Sequence, residues 1–167
     1  GITRGPNGAL SCKLGSAEDQ HAIRAILESL RGQHPEFRCT SIQVNRGLRA
    51  ALHIDSANLG VSAFAEVGPY CGGCLWSSAH PLPIVLTGST WQLCNGRTPH
   101  CTLPFVGDRV SIVAFCSDAS LSLYTPGGAE AMGKAQIIGM PLPSQGCLLA
   151  ATTANDEISL DQGIDQY

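Results

Sequence analysis

"LHIDSANLGVSAFAEV", Leu52 to Val67, holds two short apolar segments separated by a turn. The turn "SANLG" is polar and ends in glycine, and no helix-period stretch lies between the segments. A chain that passes from strand to strand through turns of this kind builds an antiparallel sheet, not a βαβ unit. In the first segment His53 and Asp55 stand two apart, so on a strand they share a face. Alone, such a pair is more often two polar residues on a wet or packed face than a site, and the residues downstream must decide.

The same texture extends outward from about Arg38 to Cys116. Eight candidate strands follow one another: "TSIQVN", "RAALHI", "VSAFAEV", "CLWSS", "PIVLT", "TWQLC", "HCTLPF" and "RVSIVAF". Turn residues separate them, among them "NRG", "EVGPYCGG", "AHPLP", "TGST", "CNGRTP" and "FVGD". Eight short strands without intervening helices imply a sandwich, barrel or jelly roll. Before them, "SAEDQHAIRAILESLRG" opens on a candidate N-cap, Ser16, with Asp19 three residues on. It sets Ala22, Ile23, Ile26, Leu27 and Leu30 on one face and stops at Gly32, the pattern of an amphipathic helix. A second, modest helix is expected over Ala129 to Ile138, ended by the "GMPLP" turn.

The fold class is therefore mainly β with flanking helices (α+β). Residues 1–15 read as a loosely ordered leader, 16–140 as a single domain with its β core at about 38–116, and 141–167 as a C-terminal tail with little pattern beyond Ser144. One domain suits 167 residues.

Composition narrows the partners. Ten Lys and Arg against thirteen Asp and Glu give a net charge of -3, so the totals do not support a surface built to hold a nucleic-acid backbone. A local patch stays open, because Arg24, Arg31, Arg38, Arg46 and Arg49 gather in the first half while "ANDEISLDQGIDQY" is acidic. No apolar run approaches the roughly twenty residues of a membrane-spanning helix. The first residue is glycine, which suggests a piece of a longer polypeptide or a processed form; compartment is left open, with an intracellular setting (nucleus or cytoplasm) as the default. Of the eight cysteines only Cys71 and Cys74 form C-x-x-C, and no second pair completes a zinc ribbon, so free, mostly buried thiols are expected. Oligomeric state is not legible.

The partner of His53 and Asp55 is His100, late in the strand series, in "GRTPHCTLPF". Two imidazoles and a carboxylate on one face of an octahedral ion leave three positions open, the arrangement of non-haem Fe(II) sites. Nine residues on, Arg109 and Ser111 again share a strand face, where a guanidinium and a hydroxyl can hold a carboxylate. Gln43 and Asn45, two apart on the first strand, either hydrogen-bond a ligand or cap the strand end at "NRG". His21, His34 and His80 have no second ligand at metal spacing, and Tyr70 and Trp76 read as packing aromatics beside the Gly72–Gly73 bend.

The run H-x-D, a late His, then R-x-S resembles the Fe(II)- and 2-oxoglutarate-dependent oxygenases. "GPYCGGCLW" is similar to that superfamily's aromatic-x-G-G-x-L turn, and "LCNGRTPHCTLPFVGDRVSIVAF" to its closing block. The resemblance covers roughly Thr40 to Phe115. It implies a double-stranded β-helix of the jelly-roll, cupin-like type, with Fe(II) on His53, Asp55 and His100. It further implies 2-oxoglutarate anchored by Arg109 and Ser111, O2 as cosubstrate, and ascorbate as the in vitro reductant. Within the superfamily "HIDSAN" resembles the H-x-D-x-x-N of the TET/JBP branch, which places Asn58 near a substrate base; Asn45, from its strand face, is the second candidate for substrate binding. The implied activity is hydroxylation of a C–H bond, of a modified nucleic-acid base in the TET/JBP case. The alternatives are a protein or small-molecule hydroxylase similar to prolyl hydroxylases, and a catalytically silent jelly-roll binding module.

Overall fold

The computed structural model describes residues 1–4, 9–86, 88 and 90–161, with side chains to residue 153. It is a mixed α and β structure whose strands pair antiparallel. β1 (Ile2–Arg4) and β2 (Leu10–Cys12) pair with each other, and α1 (Ala17–Gln33) follows. β3 (Ser41–Arg46), β4 (Asn58–Val67), β5 (Tyr70–Gly72), β6 (Leu75–Ser77), β7 (Gln92–Cys94), β8 (His100–Thr102), β9 (Phe105–Gly107) and β10 (Val110–Ser117) come next. Two 3-10 turns, Asp118–Tyr124 and Pro126–Gly128, lead to α2 (Ala129–Ile137) and α3 (Gln145–Asp161).

α1 begins where its cap dictates. The Asp19 N–H donates to Ser16 Oγ at 3.1 Å and the Ser16 N–H donates to Asp19 Oδ2 at 2.8 Å, so two donors of the open first turn are satisfied reciprocally. Leu27 and Leu30 are buried, with Ile23 and Ile26 packed at the edge of the same core. Ala22, expected on that face, is exposed.

The main sheet has the order β3-β10-β4-β7. Strand alternation divides its two faces. One face presents Ala63 and Ala65 of β4 with Ile112 and Ala114 of β10; α1, α2, Ile2 and Cys12 cover it. The small side chains on this face let the helical layer lie close. The other face presents Phe64 and Glu66 with Ser111 and Val113, beside Gln43 and Asn45 of β3. Register makes two rows of these: Glu66, Ser111 and Asn45 lie side by side, and Phe64, Val113 and Gln43 form the next row.

A second layer stands opposite. β6 pairs with β8, and each is flanked by a single bridged residue, Ile84 beside Leu75 and His53 beside His100. Phe64, Leu75, Leu86 and Cys94, with Ile84 and Val113, fill the space between the layers.

Several expectations change here. "RAALHI" is not a strand but a loop touching β8 at His53, and "PIVLT" is reduced to the bridge at Ile84, with Thr87 outside the described residues. "HCTLPF" splits into β8 and the start of β9, because Pro104 has no N–H for a ladder. The segment read as a loose leader supplies β1 and β2, whose Ile2 and Cys12 enter the core. The tail contains α3, seated on Leu59 and Cys116 through Leu148. A register shift between Ala114 and Cys116 re-aims β10 toward that contact. The eight cysteines are free, and Cys12, Cys39, Cys94 and Cys116 are buried.

Candidate metal centre and its cavity

His53, Asp55 and His100 meet at the mouth of a cavity of about 150 Å³ between the two layers. Their closeness begins with the backbone. His53 and His100 exchange N–H···O bonds of 3.0 Å in both directions, and the Asp55 N–H donates to Gly96 O at 2.9 Å. Thus the loop carrying the H-x-D is stitched to the "NGRTPH" turn carrying the second histidine. Gly96 is closely packed: a Cβ there would lie 3.0 Å from Asp55 Oδ2 and 3.2 Å from Asn58 Nδ2, so either side chain would have to shift to admit it.

One donor atom from each of the three residues lies within 4.8 Å of the others. His53 Nδ1 is 2.7 Å from the Ala51 carbonyl and His100 Nδ1 is 2.9 Å from the Thr98 carbonyl. A carbonyl only accepts, so each ring carries a proton on Nδ1 and turns Nε2, the nitrogen free to ligate in the neutral imidazole, toward Asp55. Those Nε2 atoms sit 3.5 Å and 3.9 Å from Asp55 Oδ1 and Oδ2, beyond normal hydrogen-bond distance. In their neutral form the two rings thus bring two nitrogen lone pairs and a carboxylate to one point, a set that suits a shared cation. The His100 side chain is 4% exposed and that of His53 41%, so the site grades from the interior to solvent. The Phe64 and His100 rings meet edge to face, their centroids 6.3 Å apart.

Asn58 is buried beneath this set. Its amide donates to Asp55 Oδ2 at 3.1 Å and to Ser62 Oγ at 3.3 Å, and it lines the cavity. Arg97 Nη1 donates to Ser56 O at 2.7 Å and holds the same loop from outside.

The far end of the cavity is polar. Arg109 and Ser111 line it together, with Asn45, whose Oδ1 accepts from Gln43 Nε2 at 2.9 Å. Arg109 is 3% exposed: Nη1 donates to Leu48 O at 3.1 Å and Nη2 is paired with Glu66 Oε1. The Phe105 ring stacks 5.2 Å from its Cζ, and Nε is buried without a hydrogen-bond partner among the described residues. The Gly72–Gly73 bend shapes this end, because both residues take positive φ (84° and 80°) and a Cβ on Gly73 would lie 3.0 Å from Arg109 Cδ and Nε.

Glu66 is the residue that sequence reasoning passed over. It is 2% exposed, pairs with Arg109, and accepts from Tyr70 Oη at 2.8 Å. Burial first, then the bond to Glu66, pushes the Tyr70 phenol up to about 12. The available signal was an acid two positions from Phe64 in the largely apolar "VSAFAEV", on the face shared with Ser111. Tyr70, read as a packing aromatic, belongs to this polar group.

Of the histidines given no role, His34 is spent on Trp91, whose carbonyl lies 3.2 Å from Nε2. The gathered arginines are also largely spent. Arg24 and Arg31 donate to the carbonyls of Ile137 and Gly139, Arg38 to that of Pro35, and Arg46 pairs with Asp108 at 2.6 Å. No helix among the described residues is long and apolar enough to cross a membrane.

No family model matches the sequence, and no curated protein matches it. Among solved structures the chain is similar to a crystal structure from Burkholderia pseudomallei, described as "Oxidoreductase, 2OG-Fe(II) oxygenase family". Identity is 18% and the TM-score 0.43, with 68% of this chain and 64% of that chain covered. The chain thus spans less than two thirds of that protein's length.

Proposed function

We propose that the protein is an Fe(II)- and 2-oxoglutarate-dependent oxygenase, with its two layers forming the double-stranded β-helix of that superfamily. The observation that carries the reading is the convergence of two Nε2 atoms and a carboxylate at the mouth of a cavity whose far end holds a buried guanidinium. Iron with 2-oxoglutarate supplies O2 activation and C–H hydroxylation, the cosubstrate leaving as succinate and CO2. The chain's own residues bind and orient. His53, Asp55 and His100 hold the metal, the Ala51 and Thr98 carbonyls fix the imidazole tautomers, and Asn58 steadies Asp55. Arg109 and Ser111 take the distal carboxylate. Phe64, Leu75 and Leu86 keep the chamber dry between the two ends.

The cavity, below the roughly 300–1,000 Å³ of drug-sized pockets, suits a small cosubstrate. The substrate then approaches from the His53 side, the exposed edge of the metal set. A modified base, in the manner of TET/JBP enzymes, is the substrate to test first, although the Asn58 amide is directed at Asp55 and Ser62. Asn45, beside Ser111, belongs to the cosubstrate end.

The test has two parts. Fe(II) or Mn(II) at 100 times its Kd stabilises the fold by about 2.7 kcal/mol. That is roughly 5–11 °C in Tm for a chain of this size. His53→Ala removes both this shift and the oxygen-dependent formation of succinate, and turnover that survives in His53→Ala overturns the assignment. Mass spectrometry of methylcytosine- and thymine-containing strands after aerobic incubation then tests the substrate; no modified base sends the search to peptides and small molecules.

A further inference from the structure

We infer that Glu66 is a resident counter-carboxylate on the Arg109 anchor, against which any dicarboxylate entering the cavity must compete. The inference rests on the cosubstrate reading above and concerns how strongly this chain's cavity takes the ligand's distal carboxylate.

Glu66 and Ser111 are directly opposed across β4 and β10, and Arg109 precedes Ser111 by two on the same face. The acid therefore sits where a ligand carboxylate held by Arg109 and Ser111 would have to arrive. The Glu66 carboxylate already takes one amino group of the guanidinium, and the Leu48 carbonyl takes the other. On the remaining edge, Nε lies against Gly73, whose missing Cβ leaves just enough room for it. Both partners are buried, so their attraction is little screened and the anchor end carries no net charge. Tyr70 completes the device. Its single hydroxyl proton faces two acceptors, Glu66 Oε2 at 2.8 Å and the Leu86 carbonyl at 3.0 Å. When Glu66 yields its place the hydroxyl still has a partner, so displacement leaves no buried donor orphaned.

The test compares 2-oxoglutarate with 2-oxobutyrate, which lacks the distal carboxylate, by calorimetry on the wild type and on Glu66→Gln, with and without Mn(II). The expected result is that Glu66→Gln binds 2-oxoglutarate about tenfold or more tightly, a change of ~1.4 kcal/mol, while 2-oxobutyrate shifts by less than about twofold. Binding of 2-oxoglutarate by the variant alone supports the inference equally. An equal change for both ligands, or a weaker grip on 2-oxoglutarate, makes Glu66 a prop for Arg109 and overturns the inference while leaving the cosubstrate reading intact. Binding of 2-oxoglutarate by neither protein overturns both. If Glu66→Gln fails to fold, Glu66→Asp decides, since it keeps the charge but withdraws it by one methylene; the same selective tightening is expected, and its absence overturns the inference.

Discussion

Removing Arg109 should cost far more stability than any surface charge of this protein, and the size of that loss measures how buried the ion pair is. In Arg109→Met the Glu66 carboxylate keeps only the Tyr70 hydroxyl, in a place where the residue is 2% exposed. Truncating one partner of such a pair costs about 3–5 kcal/mol, because the survivor is a buried charge without compensation. A folded domain has roughly 5–15 kcal/mol in all. The expected fall in Tm is roughly 6–20 °C, at about 2–4 °C per kcal/mol for a chain of this length. The double variant Glu66→Leu with Arg109→Met removes both charges and should recover most of the loss, since an apolar replacement of a whole buried pair is often neutral or stabilising. Urea denaturation of the four proteins closes the cycle and isolates the pair term. A loss below about 1 kcal/mol in the single variant, the range of exposed pairs, would refute the reasoning. So would simple additivity in the double variant. Arg46→Ala is the internal control: its bond to Asp108 is well formed at 2.6 Å, but both side chains are substantially exposed, and its urea midpoint should stay close to that of the wild type.

Two other outcomes follow from the site and the core. Gly96→Ala places a Cβ against Asp55 and Asn58, so Mn(II) affinity should fall by about 10–100-fold with Tm in the absence of metal nearly unchanged; equal affinities by calorimetry would mean that Gly96 does not shape the metal set. At alkaline pH the fold should lose stability. Burial raises Cys39 to about 12 and Cys116 to about 11 from an ordinary 9.0, so the native state holds these protons longer than the unfolded chain does. Their contribution is complete below pH ~9 and is lost as pH rises through about 11 and then 12, with Tyr70 adding to the loss between about 10 and 12. Urea midpoints that hold constant from pH 8.5 to 11.5 would contradict this.

How much of this was legible follows from the range of each interaction. α1 could be read because a capping box and a 3.6-residue stripe are local, and β3, β4 and β10 because short β-rich runs bounded by turn residues are local too. α3 was missed because, among its described side chains, Leu148 is the one that is buried, and no stripe announces it. β1 and β2 were missed because three-residue strands lack the length to show a period.

The same division holds at the site. By itself the sequence determined the H-x-D, the late histidine and the R-x-S, since these are choices of residue type at spacings that local geometry reads. Only the tertiary structure decided that His53 and Asp55 converge through a loop stitched to the "NGRTPH" turn, and not through strand alternation. It alone decided that Asn58 bonds Asp55, and that Arg109 carries a buried carboxylate of the chain's own. The physical reason is that Glu66 and Arg109 lie forty-three residues apart, and a pair of that separation forms only when β4 and β10 come into register.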